Sequence, residues 1–513
     1  MHPCHHALAT PAKAAHVMAP TGEPVSYAEL DRRSNQLAHL LRQRGLQPGD
    51  VVAILMENNA RYFEAVWAAD RSGLYYTCVS TRLTPAEAAH IVNDSGAAAL
   101  LTSVGVAPLA VALVALTPAV HTRLVAGGPL AGHEPWDQAL ATQPAGPLTD
   151  QTAGADLLYS SGTTGRPKGV KPPLAGKPID AVTPALSLGR LLYGFGPDMV
   201  YLSPAPLYHA APLRFSRAVQ QAGGTLVIME QFDAVEFLAA IERHRVTHTQ
   251  VVPTMFVRLL RLPEAERSRH DLSSLACCIH AAAPCPVPVK EQMIDWWGPI
   301  VHEYYAGTES NGLCAISPAE WLERKGSVGT ALLGTVRITD DSGHELPAGE
   351  VGTVWFEGGA DFEYHNDPEA TKASRNDRGW TTMGDVGYLD ADGYLFLTDR
   401  RVDVIISGGV NIYPREAEGV LSVHPKVVDA AVFGVPDDDF GESVKAAVQL
   451  VDPAEASPEL AGELVAFCRA RLAHHKCPRS IDFEAELPRH PTGKLLKRLL
   501  RDRYWQGRAS RIV

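Results

Sequence analysis

Short apolar segments alternate with amphipathic segments of helical spacing through roughly the first four hundred residues of this chain. Residues 26–45 carry apolar side chains at helical spacing between Ser26, a candidate N-cap, and Gly45, a candidate stop. Residues 50–58 follow as a buried strand, and later strand candidates are TLVIME, THTQVVP, LACCIHAAA and GTVWFEG. Strands separated by helices predict βαβ units with largely parallel sheets, so the expected fold class is α/β.

Two breaks in the sequence indicate more than one domain. At 513 residues the chain exceeds what one hydrophobic core usually supports. A stretch rich in Pro and Gly at 141–150 is typical of a connector. A second break at 397–409 precedes a fresh helix and strand alternation of about a hundred residues, enough for a small domain. We therefore expect a large N-terminal region and a smaller C-terminal domain.

The charge and cysteine content exclude some classes of function. The chain has 46 Lys and Arg against 58 Asp and Glu, a formal net charge of −12, which argues against coating nucleic acid or anionic membrane. Any phosphate binding must therefore be local. The eight cysteines include no C-x-x-C pair and are spread along the chain, which favours reduced thiols and a cytoplasmic protein.

No segment predicts secretion or a membrane span. The N-terminus lacks a basic start followed by an apolar core. Residues 97–120 are uncharged but rich in alanine and broken by Pro108 and Pro118, which favours a buried strand followed by a helix. The opening MHPCHH is interpreted as a frayed tail, with a metal site at its histidines and cysteine as the alternative.

The loop YSSGTTGRPKGVKPP, residues 159–173, is too polar for a core segment. It holds three glycines, four Ser and Thr hydroxyls, one arginine and two lysines. Glycines let the backbone approach a ligand closely, and amides, hydroxyls and a lysine can surround phosphate oxygens. Because Lys168 is followed by Gly169, without the glycine spacing of a P-loop NTPase, the loop predicts a polyanion site of another kind.

In its order S-S-G-T-T-G-x-P-K-G, this loop resembles the phosphate loop of the adenylate-forming superfamily. That superfamily comprises acyl-CoA synthetases, nonribosomal-peptide adenylation domains and luciferases. Other motifs in the same order and spacing extend the resemblance over nearly the whole chain. The resemblance implies that ATP is bound by the loop residues Ser160, Ser161, Gly162, Thr163, Thr164, Gly165 and Lys168.

The segment LACCIHAAAPCP, residues 275–286, resembles the strand and turn that line the family's adenine pocket. Its small residues Ala281, Ala282 and Ala283 would leave room for a flat base. On its own this signal is weak, because small residues beside a proline are commonly just packing.

The segment HEYYAGTES, residues 302–310, resembles a more specific motif of the same family. The resemblance implies that Tyr305 lies beside the adenine, that Gly307 and Thr308 line the phosphates, and that Glu309 binds Mg²⁺. A hard cation prefers carboxylate oxygen. Thr163 or Thr164 would assist the metal through phosphate contacts.

Two later segments resemble the ribose-binding and final motifs. In TTMGDVGYLDADGYLFLTDR, residues 381–400, Asp385 would accept hydrogen bonds from both ribose hydroxyls, and Arg400 would reach ribose or phosphate. In LPRHPTGKLLKRLL, residues 487–500, Lys494 is the candidate catalytic lysine of adenylation. A cation there lowers the repulsion between a carboxylate and the α-phosphate in the transition state.

The resemblance implies two half-reactions on one chain. A carboxylic acid and MgATP give an acyl-adenylate and pyrophosphate, and a thiol then displaces AMP. The small C-terminal domain rotates between the steps, first presenting the lysine and then the segment IISGGVNIYP, with Gly408 and Gly409 beside a pantetheine channel.

Two departures from the family pattern concern the hinge and the phosphate loop. Val402 occupies the hinge position that is usually Asp or Lys, and Asp403 follows it, so the pivot residue stays open. After the loop, KPPLAGKP replaces the usual helix start, and its three prolines forbid an immediate helix.

The acyl site is predicted from two further segments. SPAPLYHAAP, residues 203–212, resembles the family segment whose His or aromatic residue gates the acyl pocket and thiol tunnel, here His209. VVPTMFVRLL, residues 251–260, offers Val252, Met255 and Phe256 for an apolar pocket, although such spacing is also typical of plain core. No cation is evident for a second substrate charge, so a lipophilic monocarboxylate is expected.

The sequence is thus interpreted as an acyl-CoA synthetase with an N-terminal adenylation domain at 1–399 of βαβ layers and a β-rich subdomain. A hinge at 400–403 and a mobile α+β domain at 404–513 would follow. ATP, Mg²⁺, coenzyme A and a medium-chain, long-chain or ring-bearing acid are expected; a homodimer is left open. The alternatives are a domain loading carrier-protein phosphopantetheine, a luciferase-type enzyme, and a nucleotide-sensing scaffold.

Overall fold

The computed structural model describes residues 1–160, 167–174, 176–400, 403–408, 410–437, 439–489 and 495–506, with the backbone alone for Ser160 and Arg400. The chain divides into two units. The first comprises Met1–Val251, Arg261–Ile279 and Phe362–Thr371. The second comprises Val252–Leu260, His280–Asp361 and Lys372–Val513.

The first unit contains a six-stranded sheet whose strands pair in parallel. From edge to edge the strands are Glu134–Pro135, Thr122–Ala126, Ala97–Ser103, Val51–Leu55, Tyr75–Cys78 and Ala155–Asp156. The strand Val51–Leu55 is buried at all five positions, as is typical of a parallel strand covered on both faces. The predicted parallel α/β arrangement is confirmed.

A second sheet of this unit is parallel except at one edge. Its parallel strands are Ala14–Met18, Thr225–Ile228, Val200–Ser203 and His248–Val251, and Pro24–Ser26 pairs antiparallel with the first of them. The strand Cys277–His280, whose residues 277–279 belong to this unit, follows His248–Val251 in the strand order. A separate hairpin pairs Leu158–Ser160 with Lys168–Val170 and flanks the polar loop.

The two helices that the sequence predicts in the first unit are both present. Tyr27–Gln43 begins after Ser26, whose hydroxyl accepts a hydrogen bond from the Glu29 N–H at 3.1 Å. The uncharged stretch forms the strand Ala97–Ser103 and the helix Ala107–Leu116, as predicted. The other helices are Pro3–Ala9, Tyr62–Arg71, Pro85–Asp94, Trp136–Leu140, Pro184–Tyr193, Ala210–Ala222, Ala234–His244, Glu264–Arg267 and, through residue 371, Pro368–Ala373. Among the described residues, no helix has both the length and the apolar character needed to cross a bilayer.

The prediction of a frayed N-terminal tail is wrong. Pro3–Ala9 forms a helix capped by His2, whose Nδ1 accepts a hydrogen bond from the Cys4 N–H at 3.2 Å. The His2 side chain is fully buried and meets the Trp67 ring edge-on, with the centroids 5.0 Å apart. A proline in the first turn and an aromatic partner stabilise a segment whose composition alone looks loose.

The metal alternative for this segment is not favoured by its surroundings. His2, Cys4 and Asp31 place ligand atoms within 4.8 Å of one another. However, the Arg71 guanidinium donates to Asp31 Oδ1 at 2.6 Å. Asp31 is the only carboxylate of this group, and the Arg71 guanidinium bound to it would repel a divalent cation.

The second unit contains an antiparallel sheet, the expected β-rich part. Its strands, in spatial order, are Thr335–Thr339, Gly352–Glu357, Asp385–Leu389, Leu395–Arg400, Ser327–Leu333, Leu313–Ile316 and Val301–Ala306. The helices in this part are Pro253–Leu260, Val287–Trp297 and Pro318–Glu323. Alternate apolar residues such as Val336, Val354 and Phe356 form the core on one face of the sheet.

The C-terminal part of the second unit forms an α+β layer of its own. Its strands are Ile405–Ser407, Val410–Ile412, Val427–Asp437, Gly441–Leu450 and Ser480–Phe483, and its helices are Pro414–Ser422, Pro458–Arg469 and Lys497–Arg501. Buried residues from both, including Leu421, Val432 and Leu464, form one core cluster. The domain limits at 399 and 404, and the mobility of this part, remain predictions.

Candidate active site

Two strands of the second unit bring together the residues predicted to bind adenine and ribose. Tyr305 lies near the end of Val301–Ala306, and Asp385 begins Asp385–Leu389. The Tyr305 hydroxyl donates a hydrogen bond to Asp385 Oδ2 at 2.6 Å. Asp385 is 5% exposed and pairs across the sheet with Arg400. Three of the predicted nucleotide residues are therefore neighbours, although 95 positions separate the first from the last.

A carboxylate can accept several hydrogen bonds at once, so the Tyr305 contact is compatible with ribose binding by Asp385. The hydrogen bond also fixes the tyrosine ring, which packs 6.1 Å from the Phe356 ring centre. Because Tyr305 and Asp385 are far apart in sequence, the motifs give no sign of this hydrogen bond.

Residues 307–310 form a tight turn directly after the strand Val301–Ala306. The Ser310 N–H donates to the Gly307 carbonyl at 3.2 Å, and Ser310 has φ 56°. A Cβ at Gly307 would lie 2.1 Å from Met383 Sδ and 2.5 Å from Glu309 Oε2. Only glycine therefore fits at 307 while the Glu309 carboxylate keeps its place.

The turn presents oxygen donors of the kind that Mg²⁺ requires. Thr308 and Glu309 are adjacent in the sequence and both half-buried, so the turn carries one hydroxyl and one carboxylate. Mg²⁺ is usually held by one or two carboxylates together with substrate phosphates rather than by a full protein cage. The donor set at Glu309 fits that requirement.

The turn Ala281–Ala283, predicted to face adenine, is strained. Ala282 is exposed and has φ 74°, a left-handed conformation that costs a residue with a Cβ about 1–2 kcal/mol. Backbone strain of this kind is concentrated at ligand-binding and catalytic positions. The conformation is therefore in keeping with a nucleotide-facing turn.

A buried ion cluster adjoins these residues and escapes prediction from the sequence. Glu303, two positions before Tyr305, accepts a hydrogen bond from Lys290 Nζ at 2.7 Å and lies 3.3 Å from His280 Nε2. The buried Lys290 ammonium also lies 4.6 Å from the centre of the Trp321 ring. Burial would raise the pKa of Glu303, but His280 and Lys290 outweigh it and lower that pKa to about 2.

This cluster links the two predicted walls of the adenine site. His280 directly precedes the alanine turn, and Glu303 shares a strand face with Tyr305 because side chains alternate along a strand. The ion pairs thus hold the turn and the tyrosine strand in register. The sequence shows only Glu303 in the strand VHEYYA and Lys290 in the helix VPVKEQMIDWW, which also carries Glu291 and Asp295, so neither residue stands out.

In the first unit, Tyr364 and His365 contact the hairpin that flanks the polar loop. Lys168 pairs with the Ser160 backbone, and the His365 N–H donates to the Gly169 carbonyl at 2.7 Å. The Lys168 ammonium lies 5.2 Å from the centre of the Tyr364 ring. The predicted phosphate lysine is therefore held by a hairpin and an aromatic face.

The segment after the loop behaves as its prolines predict. The described residues between Lys171 and Thr183 contain no helix, and the first one afterwards is Pro184–Tyr193. The Tyr75 hydroxyl donates to the Pro172 carbonyl at 2.6 Å, and the Lys171 ammonium lies 4.9 Å from the Tyr75 ring centre.

The residues predicted for the acyl site lie at the starts of two helices. In the first unit His209 caps Ala210–Ala222, and its ring meets Tyr208 with the centroids 4.5 Å apart. In the second unit Val252 is half-buried just before Pro253–Leu260, which carries Met255, 8% exposed, and Phe256, fully buried.

Phe256 is also part of the surroundings of the ion cluster. Its ring packs edge-on against His280 at 5.5 Å and against Trp297 at 6.0 Å. A shift of the cluster would therefore reach the predicted acyl helix through His280. Contact of these residues with an acyl chain remains a prediction.

The predicted coenzyme A residue Gly408 lies in a tight turn between Ile405–Ser407 and Val410–Ile412. Its φ is 57°, its N–H donates to the Phe440 carbonyl at 2.8 Å, and a Cβ would lie 3.1 Å from the Phe440 ring. Both its conformation and its close contact favour glycine. The remaining predicted positions lie outside the described residues: Ser161, Gly162, Thr163, Thr164, Gly165, Val402, Gly409 and Lys494.

Comparison with known families gives two matches along the chain. Residues 4–362 match the model of the AMP-binding enzyme family. Residues 416–494 match the model of the AMP-binding enzyme C-terminal domain.

Curated relatives and solved structures are similar over almost the full length. A feruloyl-CoA synthase of an Amycolatopsis species is 36% identical over 497 residues, covering 94% of each chain. A long-chain-fatty-acid–CoA ligase of Mycobacterium tuberculosis strain H37Rv is 33% identical over 508 residues, covering 97% of each. The structure of o-succinylbenzoate CoA synthetase from Bacillus subtilis, in complex with its acyl-adenylate intermediate, superimposes with a TM-score of 0.80 at 30% identity, covering 98% of this chain and 97% of that one.

Proposed function

This chain belongs to the AMP-binding enzyme family, and we propose that it activates a lipophilic monocarboxylic acid with ATP and transfers the acyl group to coenzyme A. At the coarser level it is an AMP-forming acid–thiol ligase that works through an acyl-adenylate. The observation that carries the assignment to these residues is the hydrogen bond from Tyr305 to Asp385, whose strand pairs with the strand that ends at Arg400.

In the proposed first half-reaction, a carboxylate oxygen of the acid attacks the α-phosphorus of ATP. The new bond joins that oxygen to phosphorus, and the bond from the α-phosphorus to pyrophosphate breaks. Asp385 accepts hydrogen bonds from the ribose, Tyr305 and the Ala281–Ala283 turn enclose the adenine, and Lys168 binds phosphate. Lys494 supplies the cation that lowers the repulsion between the two anions as they approach.

Mg²⁺ would be held by Glu309, with Thr308 beside it and Thr163 acting through the phosphates. When bound, the ion supplies neutralisation of phosphate charge as pyrophosphate leaves. The chain's own part is positional. Gly307 lets the backbone pass behind the Glu309 carboxylate, where a side chain would displace it.

In the proposed second half-reaction, the thiolate of coenzyme A attacks the acyl carbonyl carbon, and the bond to AMP breaks. Residues 404–513 would rotate about a hinge at 400–403 between the steps and present Gly408 and Gly409 to the pantetheine. The proposal for Gly408 is supported by its φ of 57° and by the Phe440 ring, which a Cβ would approach to 3.1 Å, since both favour a residue without a side chain.

The acid is proposed to join one carboxylate to a large apolar part. Val252, Met255 and Phe256 offer an apolar helix face, and the described charge on that helix, Arg258, is exposed. The two curated relatives are named for ferulate and for long-chain fatty acids, both acids of this description. His209 would gate the pocket.

The test is a panel of acids offered to the purified protein with ATP, MgCl₂ and coenzyme A. Ferulate, dodecanoate and hexadecanoate represent the proposed class, and acetate and o-succinylbenzoate represent small and doubly charged acids. Pyrophosphate release and acyl-CoA mass are both measured. We expect kcat/KM for at least one member of the class to exceed that for acetate by at least about tenfold, since each buried methylene contributes about 1–3 kcal/mol.

Two outcomes would contradict the proposal in different ways. Preference for acetate or the dicarboxylate would reject the substrate class while leaving the ligase reaction in place. Pyrophosphate release with no acyl-CoA, together with acyl transfer to a phosphopantetheinylated carrier protein, would reject coenzyme A as the acceptor.

A further inference from the structure

We propose that two ion pairs, Arg489–Asp429 and Lys497–Glu418, form a clamp that positions the segment carrying Lys494 for adenylation. The segment 490–494 lies outside the described residues, but both of its flanks are described. The four clamp residues are positioning residues, since they act through Lys494 and do not touch the reacting atoms. The inference rests on the role proposed for Lys494.

The backbone closes the segment at its base. Arg489 and Leu495 form an isolated antiparallel bridge, and the Leu496 N–H donates to the Pro488 carbonyl at 2.8 Å. Five residues therefore separate the two bridge partners. The described flanks on either side of Lys494 are thus joined by backbone contacts, and what holds each flank follows from its side chains.

The first end is held by a two-point ion pair. Arg489 Nε donates to Asp429 Oδ2, and Arg489 Nη2 donates to Asp429 Oδ1, both at 2.5 Å. The side chains are only 27% and 20% exposed, so solvent screens the pair less than it screens a surface bridge. Two parallel hydrogen bonds fix the orientation of the guanidinium as well as its distance, which a lysine could not do.

The second end is held by a buried lysine. Lys497 Nζ lies 2.9 Å from Glu418 Oε1, and the Lys497 side chain is 9% exposed. Glu418 is itself fixed, because its Oε1 accepts a hydrogen bond from the Val432 N–H at 2.7 Å. A buried ammonium whose partner carboxylate is anchored to a strand cannot shift without losing its charge compensation.

Lys497 also reaches the strand of the predicted ribose site. Its Nζ lies 3.9 Å from Asp399 Oδ1, and Asp399 directly precedes Arg400. Asp399 pairs with Val386, the residue after Asp385. Through Lys497, the clamp thus connects the flank that follows Lys494 with the strands that hold Asp385 and Arg400. All of these residues belong to the second unit.

Apolar packing keeps the two flanks attached to the domain, so the role left to the ion pairs is to fix the exact position of the flanks. Leu487 before the segment and Leu500 after it are buried in one cluster with Phe433. Removing one ion pair should therefore leave the flanks attached but free to shift. A misplacement of about 1 Å at a catalytic group can cost about a hundredfold in rate.

The experiment compares the two half-reactions in the full-length protein. Adenylation is measured as pyrophosphate release from ATP and the best acid of the panel, and thioester formation is measured from presynthesised acyl-AMP and coenzyme A. We expect Asp429→Asn and Glu418→Gln each to lower kcat of adenylation about 10- to 100-fold, with KM for ATP and the rate of thioester formation within about twofold of wild type. Arg489→Lys, which keeps the charge but not the fork, should fall between wild type and Asp429→Asn.

A control removes a more exposed ion pair of the same unit that lies off the segment. Arg503 Nη1 lies 2.5 Å from Glu484 Oε1, and the arginine side chain is 52% exposed. Arg503→Gln should leave both half-reactions unchanged. Because both rates are measured on one preparation, their ratio does not depend on the fraction that is folded.

The outcomes distinguish a positioning role of the clamp from a merely structural one and from failure of the proposed function. A lowered ratio of adenylation to thioester formation in the clamp variants, but not in Arg503→Gln, establishes the clamp. Proportional loss of both rates, or no loss of either, rejects it and indicates a merely structural role. Absence of adenylation by the wild-type protein with every acid rejects the proposed function, and the clamp with it.

Discussion

The Tyr305 hydroxyl donates to Asp385 Oδ2 at 2.6 Å, which joins two motifs that lie 80 residues apart. Strand pairing alone does not explain the meeting, because the strands Leu395–Arg400, Ser327–Leu333 and Leu313–Ile316 lie between the strand of Asp385 and that of Tyr305 in the sheet order. The two side chains themselves make the contact. The tyrosine orients the carboxylate, and the carboxylate in turn fixes the ring that would lie against the adenine.

Asp385→Asn is expected to remove discrimination between ATP and 2′-deoxy-ATP. The amide cannot accept at both of its ends as the carboxylate can, and a hydrogen bond to a charged group contributes about 1.5–3 kcal/mol. Wild type should therefore prefer ATP in kcat/KM by about 10- to 150-fold, and the variant should show at most a few-fold preference. The ratio of kcat/KM for the two nucleotides is measured by pyrophosphate release in wild type and variant.

Tyr305→Phe is the matched control for this prediction. It keeps the ring and removes only the hydroxyl, so kcat/KM for ATP should fall by less than about tenfold while ribose discrimination is retained. Equal discrimination by wild type and Asp385→Asn would show that Asp385 does not accept from the 2′-hydroxyl.

Ala282→Gly is expected to raise thermal stability slightly or leave it unchanged, the reverse of the usual effect of glycine. Relief of a left-handed alanine is worth about 1–2 kcal/mol, against about 0.5–1 kcal/mol for the added freedom of the unfolded chain. Ala282 has φ 74°, whereas Ala283 does not have a positive φ. Ala283→Gly should therefore lower the unfolding temperature, and the same sign for both variants in calorimetry would disprove the strain.

Local sequence rules predict much of the fold. Ser26 caps its helix, the strand at residue 51 is fully buried, and the uncharged stretch at 97–120 is a strand and a helix, because periodicity and capping are local properties. The N-terminal helix fails these rules because its stability comes from burial of His2 against Trp67, a contact between segments far apart in the chain.

In the candidate site, too, local motifs identify some residues, whereas contacts between distant segments could not be predicted. Its motifs single out Tyr305 and Asp385 by residue type and order, and the structure then shows them as neighbours, while their nucleotide contacts remain a prediction. The Lys290–Glu303 pair could not be found in this manner, since a buried salt bridge depends on which helix packs against which strand.

Gly307→Ala is expected to lower kcat/KM at least about tenfold and to raise the Mg²⁺ concentration needed for half-maximal activity. The new Cβ would lie 2.5 Å from Glu309 Oε2 and 2.1 Å from Met383 Sδ, so at least one side chain must move. The added variant Gly307→Ala with Met383→Ala removes the second clash only. We expect it to remain impaired, because Glu309 is still displaced.

The control for Gly307 is Gly462, in the helix Pro458–Arg469, where a Cβ would meet nothing within 4 Å. Gly462→Ala should keep full activity and gain up to about 1 kcal/mol of helix stability. Full recovery of Mg²⁺ dependence in the double variant would show that Met383, and not Glu309, is the residue that matters.

Lys494→Ala is expected to lower adenylation about 10²- to 10³-fold, because preorganised charge at the developing anion is lost. Thioester formation from presynthesised acyl-AMP should stay within about threefold, since that step needs no charge between acid and phosphate. Arg498→Ala, an exposed cation four residues on, should leave both steps unchanged. Equal loss of both steps in Lys494→Ala would reject the assigned role.

Lys290→Met is expected to destabilise the second unit by about 3–5 kcal/mol, because it leaves the buried Glu303 carboxylate without its ammonium. Adding Glu303→Leu removes the uncompensated charge, so the double variant should unfold at a higher temperature than Lys290→Met alone. Calorimetry of the three proteins measures this. A double variant less stable than either single variant would show that the pair is net stabilising beyond its charge compensation.

The same cluster should make stability fall with acidification in two windows. Burial lowers the pKa of His280 below its ordinary value of about 6.5, so the unfolded chain binds the proton first and stability declines as the pH falls below that value. The pKa of Glu303 is lowered to about 2, so its contribution is complete above the unfolded pKa of about 4.3 and is lost as the pH falls towards about 2. In Lys290→Met the carboxylate loses a charge that lowers its pKa, and the second window should move to higher pH. Unfolding temperatures measured across this range would contradict the assignment if wild type and variant lost stability in parallel.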